Sequence, residues 1–432
     1  MAKKWMSIGL TVAMAVSLAS GVTVSADEEI DYSGRQELKY WYCWGGDSET
    51  WDQWRMDEFN KAQDEYYITG QYVPEGSGVN NGKLMAAIQS GDVPDVIVCD
   101  NSTAIYSLVA EGAFEPLDEA METVGFDWES VNPAVLDLMK YDGQTYLYPT
   151  NTDTVLLFIR NDMAEAAGLD VTNPPKTIDE LDAWAEAMTK INEDGSVDCY
   201  GFIPWLDDGS SQNWGVQFGA SVYDAESDTY NVNTPEMVQI YEWMRSYSNK
   251  FDTDILMGFT SNLGGAFSPD HAFFTGDVAM TINGNWFCNA IAQYAPDIDY
   301  TIVPLPAISE DLYGGTPLTG NVIAAPKGSK NIEGAVAWAN WCQTAEMQEG
   351  NNAIWLSLGI FPDSVTELSR YKANDPAELM VVDVTFHENS RFFCVSPKTA
   401  LVLDGLKQVL DTAIYTNEDI GAALDAVNST LN

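Results

Sequence analysis

The chain has 432 residues, more than one hydrophobic core ordinarily supports, so two lobes are expected. Hydrophobic residues make up 46% and aromatics 12%, which excludes a disordered chain and requires many rings to be buried or used for binding. With 65 Asp and Glu against 20 Lys and Arg, the net charge of −45 excludes nucleic acid as a partner and disfavours anionic membranes. It permits a cationic ligand without demanding one, since acids spread over a surface mainly confer solubility.

In chain order, Lys3 and Lys4, the apolar run Ile8–Val22 and Val24-Ser25-Ala26 read as a secretory signal peptide over residues 1–26. No later segment approaches the length of a membrane span. Strands are predicted at Leu38–Trp44, Tyr67–Val73, Asp95–Cys99, Val155–Arg160, Val278–Ile282 and Tyr300–Leu305. Helices are predicted between them at Thr50–Glu65, Lys83–Ser90, Ala104–Glu111, Trp128–Leu138 and Leu181–Ile191. The last of these opens on the capping box Thr177-Ile178-Asp179-Glu180. Further helices are predicted at Thr234–Asn249, Ile332–Cys342, Ala345–Ile354, Ala400–Tyr415 and Ile420–Leu431. The alternation implies an α/β class with parallel strands. The six cysteines have no metal-type spacing and sit in apolar runs, which suits buried thiols; Cys43 and Cys99 are the one pair placed to form a disulfide.

The run Phe273–Phe287 combines a turn at Gly276-Asp277, an apolar strand, a second turn at Asn283-Gly284 and a helix start capped by Asn285. This sets Trp286 just past the carboxyl end of a strand, where open α/β sheets bind ligands; core packing is the alternative role. Ala279–Gly284 followed by a tryptophan resembles the segment with which maltose-binding protein and its relatives present a sugar-stacking aromatic. Those relatives are the extracellular solute-binding proteins of ABC importers. Gly91–Val96, Tyr141–Tyr146 with Pro149, Arg160-Asn161-Asp162 with Pro174–Thr177, Val303–Pro306 and Lys327–Lys330 match the same family in order.

The resemblance implies a two-lobe periplasmic-binding-protein fold, each lobe a mainly parallel sheet flanked by helices. Lobe 1 is expected to hold residues 36–150 and 317–362, and lobe 2 residues 151–316 and 363–432. Crossings are expected near Thr150–Thr154, Gly314–Asn321 and Gly359–Ser364, where turn-rich breaks occur independently. Relatives in single-membrane bacteria are usually tethered through a cysteine after a Leu-Ala-Ser/Gly box; here Gly21 follows Leu18-Ala19-Ser20, so no lipid anchor is expected.

A sugar needs flat rings for its C–H faces and planar polar groups for its hydroxyls. Trp44-Gly45-Gly46-Asp47, after the first strand, offers both, or forms a turn. Asp100-Asn101-Ser102 stands where relatives place hydroxyl-binding groups, or caps the next helix. Asn151 and Asp153 at the first crossing bind ligand or shape the hinge. Trp205 and Trp214 flank the polar loop Asp207–Asn213, and Trp214 is the preferred contact. Asn283 and Trp286 are the strongest candidates, with Phe361 lining the cleft or the core, and Arg391 contacting ligand or forming a surface ion pair.

The expected function is capture of a carbohydrate, an oligosaccharide by preference, by a secreted monomer that passes it to the permease subunits of an ABC importer. No cofactor, metal or catalysis is expected. The same fold binding a polyamine or other cation, and a secreted glycosidase with paired carboxylates, are the alternatives.

Overall fold

The computed structural model describes residues 31–432 apart from 46, 80–81, 101, 252, 345, 349, 351–356 and 361–375. The signal peptide, most of the helix expected at Ala345–Ile354, Asn101 and Phe361 therefore lie outside the described residues. The first sheet begins with β1 (Gln36–Tyr42), whose Leu38, Tyr40 and Tyr42 point inward at the two-residue spacing of a pleated strand. Helix α1 (Asp47–Ala62) returns the chain to β2 (Tyr66–Tyr72), which pairs parallel with β1 from Gln36↔Tyr66 to Tyr42↔Tyr72. Helix α2 (Lys83–Ser90) leads to β3 (Val96–Cys99), parallel to β1 on its other side. All four β3 residues are buried, as a strand covered on both faces requires. After α3 (Ser102–Ala110), β4 (Tyr148–Pro149) forms the far edge of this sheet.

The second sheet is built on β5 (Asp153–Arg160), buried along almost its whole length. Helix α4 (Ile178–Met188) carries the expected capping box: Thr177 and Glu180 bond each other's backbone N–H groups. Helices α5 (Ser211–Gln217) and α6 (Pro235–Lys250) follow, the latter capped by Thr234 and burying Met237, Ile240, Tyr241 and Met244 along one stripe. Strand β6 (Met280–Gly284), helix α7 (Phe287–Tyr294) and strand β7 (Tyr300–Pro304) complete the sheet in the order β6-β5-β7.

Both pairings of β5 in that order are antiparallel, with Gly284 opposite Val155 and Pro304 opposite Leu156. The parallel expectation for the strand Val278–Ile282 is corrected here. Strand β5 enters this sheet from the crossing, whereas β6 and β7 run back toward it. Their carboxyl ends therefore meet the amino end of β5 at the junction between the lobes.

The chain then returns through β8 (Leu318–Thr319), which pairs with Thr154 and Asp153, into β9 (Val322–Ala324), antiparallel to both β3 and β4. Helix α8 (Ile332–Trp341) covers the first sheet, with Trp338 fully buried 5.5 Å from Tyr40 and edge-on to Phe59. Helices α9 (Pro376–Thr385), α10 (Thr399–Tyr415) and α11 (Ile420–Leu431) end the chain. Two large cores result, one around β1–β3 and α8, the other around β5–β7, α4 and α6. A smaller one lies under α7 on the other face of β5. Among the described residues no helix is long and apolar enough to cross a membrane.

The segments at the first two expected crossings lie side by side, next to Leu358. Thr150 N–H donates to Asn321 O at 2.8 Å, and Thr152 and Leu358 exchange backbone bonds at 2.6 and 3.1 Å. The backbones approach closely at Gly320, whose φ is +152° and where a Cβ would stand 2.4 Å from Asn151 O. None of the six cysteines forms a disulfide, Cys43 and Cys99 included, and all but Cys288 are buried. Burial raises the Cys43, Cys199, Cys342 and Cys394 thiols above their ordinary pKa, so these four resist oxidation in the folded state.

Two outcomes follow. Thiol titration of the denatured, unreduced protein counts six thiols; a count of four would mean a disulfide. Gly320→Ala lowers the unfolding free energy by about 1–3 kcal/mol in denaturant titration, because a side chain there meets backbone that cannot rotate away. An unchanged midpoint would mean that the crossing is not closely packed.

Candidate functional site

A cavity of about 490 Å³ opens where the carboxyl ends of β1, β3 and β6 meet the crossings. Sites for small molecules span roughly 300–1,000 Å³. Trp44, Asp100, Asn151, Asp153 and Trp286 all line it, so five of the candidate residues converge from four separate segments.

Trp286 owes its position to its neighbours. An added Cβ on Gly284 would stand 2.2 Å from the Trp286 indole, so the ring lies directly on the glycine backbone. The indole is half-buried and its remaining surface faces the cavity. Asn285 does not cap α7 as expected; Trp286 is the N-cap and caps with no side-chain bond. Asn285 is instead fully buried, accepting from Thr154 N–H at 2.8 Å and donating to Asp153 at 3.1 Å. A buried amide gains more from a backbone partner and a carboxylate than from one turn of helix, so the tertiary contacts prevail.

Asp153 lies at the floor of the cavity, 5% exposed. One carboxylate oxygen accepts from Asn151 Nδ2 at 2.6 Å, and the other from Asn285 and from the Ser357 hydroxyl. Burial raises its carboxyl above the ordinary value although these three donors pull it down. Asn151 also accepts from the Thr150 hydroxyl at 3.1 Å and from Asn321 N–H at 3.3 Å. The two crossing residues thus form one hydrogen-bonded unit.

Several candidates lie elsewhere. Trp214 is fully buried in the second core, with its indole N–H donating to Pro204 O at 2.7 Å and its ring against Trp243 at 4.8 Å. It is on the apolar side of α5, and the polar side of that helix faces the cavity through Gln212 and Asn213. Trp205 also packs against that core. Asn283 is 2% exposed and accepts from Gly284 N–H; strand alternation turns it under the sheet, and the cavity is reached only beyond the strand end. Arg391 donates to Ala220 O at 2.6 Å and does not line the cavity; Phe393, two residues on, does. Burial lowers the Arg391 pKa, and among the described residues it makes no ion pair. Asp47 begins α1, where its side chain is not described; Asn101 and Phe361 lie outside the described residues.

Other lining residues are absent from the sequence-derived set. Trp51, Asp52 and Arg55 project from the first turns of α1. Asp52 accepts from the Arg55 guanidinium and from the Tyr40 hydroxyl at 3.5 Å, and Arg55 lies over the Trp51 and Trp338 rings at 5.7 and 5.9 Å. Burial works against the Arg55 charge, yet Asp52 holds the pKa above the usual guanidinium range. Their i, i+1, i+4 spacing shows in the sequence that they share a helix face, but not which way that face points. Phe267, 45% exposed, lines the cavity from the second lobe.

Asp208 comes from the loop Asp207–Asn213. One of its oxygens accepts from Gly284 N–H at 2.9 Å. Burial and the adjacent Asp207 push its carboxyl up to about 7 against that bond. Asp207, at φ +53°, turns away from the cavity to accept from the Thr281 hydroxyl and from His271 Nε2 at 3.0 Å. His271 Nδ1 accepts from Phe273 N–H, which leaves Nε2 as the protonated nitrogen.

The profile of the bacterial extracellular solute-binding protein family matches residues 54–378, and the chain belongs to that family. It is 24% identical over 416 residues to the arabinooligosaccharide-binding protein of Bacillus subtilis, covering 94% of this chain and 89% of that protein. It is 25% identical over 330 residues to the sn-glycerol-3-phosphate-binding periplasmic protein UgpB of Rhizobium meliloti, covering 72% of each. Among solved structures, CpMnBP1 with mannobiose bound superposes with a TM-score of 0.83 at 25% identity, over 92% of this chain and all of that one. The maltose/maltodextrin-binding domain MalE of Bdellovibrio bacteriovorus bound to maltotriose superposes at 0.72 with 17% identity, over 91% of this chain and 98% of that one. The expected two-lobe α/β fold class is borne out, with the second sheet antiparallel rather than mainly parallel, and these relatives are named as binding proteins.

Asp208 gives a pH signature. Its folded pKa lies above the unfolded carboxyl value of 3.8, so the native state holds the extra proton between about pH 4 and 7. The stabilisation is complete below the unfolded pKa and is lost as pH rises through 7. In thermal denaturation of the ligand-free protein, Asp208→Asn therefore melts above the wild type at pH 8, and the gap narrows below pH 7 and closes only below about pH 4. A gap independent of pH would show that Asp208 titrates as an exposed acid.

Proposed function

We propose that this protein captures an oligosaccharide between its two lobes by hinge closure and delivers it to the permease subunits of an ABC importer, performing no chemistry itself. The lobes divide as residues 36–150 with 317–362, and 151–316 with 363–432. One observation carries the reading: Trp44 and Trp286 reach the same cavity from different sheets, with the amides of Asn151, Gln212, Asn213 and Asn321 between them. Apolar sugar faces stack on such rings, and hydroxyls bond such amides. Hinge closure brings both walls onto one ligand.

The proposed contacts are Trp44, Asp100, Asn151, Asp208, Asn213 and Trp286, with Asp153 positioning the crossing beneath them. Secretion, with the protein acting as a monomer, belongs to the same reading. The relatives that bind glycerol phosphate suggest a second ligand class. A phosphate needs unengaged donors of positive charge. Arg55, the one cation among the described lining residues, is already paired with Asp52. That pairing favours the sugar.

A thermal-shift screen across neutral and charged glycans identifies the ligand, because tight binding raises the midpoint. Trp286→Ala then weakens the winning sugar about tenfold or more in calorimetric titration. Gly284→Ala weakens it as well, by lifting the ring from its seat. Unchanged affinity in Trp286→Ala would remove this ring from the site, and turnover of any glycan by pure protein would end the binding-only reading.

A further inference from the structure

The titratable groups of the cavity are unbalanced. Its described lining contains four carboxylates, Asp52, Asp100, Asp153 and Asp208, and one guanidinium, Arg55. Arg55 and Asp52 neutralise each other. Three carboxylates remain with no side-chain cation facing them.

None of the three is relieved by a positive charge. Burial raises Asp100, Asp153 and Asp208 alike, and the groups opposing that rise are neutral backbone or side-chain donors. The three differ in what they can still accept. Asp153 has both oxygens engaged by Asn151, Asn285 and Ser357. Asp100 lines the cavity and is exposed to solvent. Asp208 has one oxygen on Gly284 N–H, and its other oxygen makes no hydrogen bond with the described residues.

Closure around a neutral sugar would remove more water from these acids and return only dipoles. Taking charge out of water is costly unless an opposite charge replaces the lost hydration. An ammonium group on the ligand would supply that charge, and it would donate to the open oxygen of Asp208 and to the exposed Asp100 carboxylate. We infer that the preferred ligand is a saccharide bearing a protonated amine, with the amine held between Asp208 of the second lobe and Asp100 of the first. This rests on the carbohydrate reading above and narrows it. An acetylated amine carries no charge and occupies more room, so the site discriminates against it on both counts.

The test is calorimetric titration of the full chain with three probes near pH 7: a β-1,4-linked disaccharide of glucosamine, its N-acetylated counterpart, and mannobiose. The amine form should bind about tenfold tighter or better than either neutral probe. Its advantage should shrink between low and high salt, because the attraction is screened. In Asp208→Asn the ratio of amine to N-acetyl affinity should fall, with the far-ultraviolet circular dichroism spectrum as the check on folding. If that variant fails to fold, Asp100→Asn supplies the same ratio from the other wall. Neutral probes binding as tightly as the amine form would overturn this inference and leave the carbohydrate reading standing. A salt-independent preference, or a ratio unchanged in both variants, would overturn it too. Binding of none of the sugars overturns both.

Discussion

The buried carboxylate of Asp153 is the constraint on which the rest of the structure depends. It stands at the first residue of β5, where the chain has just passed from one sheet to the other. Its donors come from three separate places: Asn151 on the same crossing, Asn285 beyond β6, and Ser357, just ahead of the third expected crossing. Hydrogen bonds to a charged group contribute about 1.5–3 kcal/mol each, whereas burying the charge costs several kcal/mol. The raised carboxyl shows that burial outweighs the donors, so the group is retained at a net cost to itself. What it secures is geometry. Three chain segments far apart in sequence are held at one point, and the cavity floor is that point.

The second wall of the cavity follows from this anchor. Because Asn285 is spent on Asp153 and Thr154, the chain leaves β6 in a fixed direction, and Trp286 falls back over Gly284. No other residue could occupy position 284 with the ring seated there. The Asp208 carboxylate on Gly284 N–H ties the loop before α5 to the same strand end. A ring, a glycine, an amide and two carboxylates are thereby placed by a single junction.

The two cores also touch away from the crossings. Helix α10 packs against α5 and α6 of the second lobe, and against α3 of the first. Ala400 N–H donates to Ser107 Oγ at 3.0 Å across that contact. Leu403 of α10 and Thr103 of α3 both line the cavity, so this contact closes one end of the space in which a ligand would lie.

Local signals in the sequence were enough for most elements. The capping box at Thr177 and the helices Lys83–Ser90 and Ile420–Leu431 match the structure within a residue or two, since caps and apolar period act over a few positions. Trp44, Asp100, Asn151, Asp153 and Trp286 were legible because each ends a strand or marks a crossing, places defined by the pattern alone. Trp214 and Asn283 were misplaced because a side chain's facing depends on what covers it. Trp51, Asp52 and Arg55 were missed for the same reason, since a helix face carries no label for cleft or core. Strand direction was likewise invisible, because β5 and β6 have the same apolar pattern whether paired parallel or antiparallel. Sequence by itself determined the class, the alternation, the junctions and the aromatic wall, all of which rest on short-range chemistry. Tertiary structure decided which polar groups meet, how the acids are desolvated and which ring lies open, because burial and electrostatics depend on segments brought together only by folding.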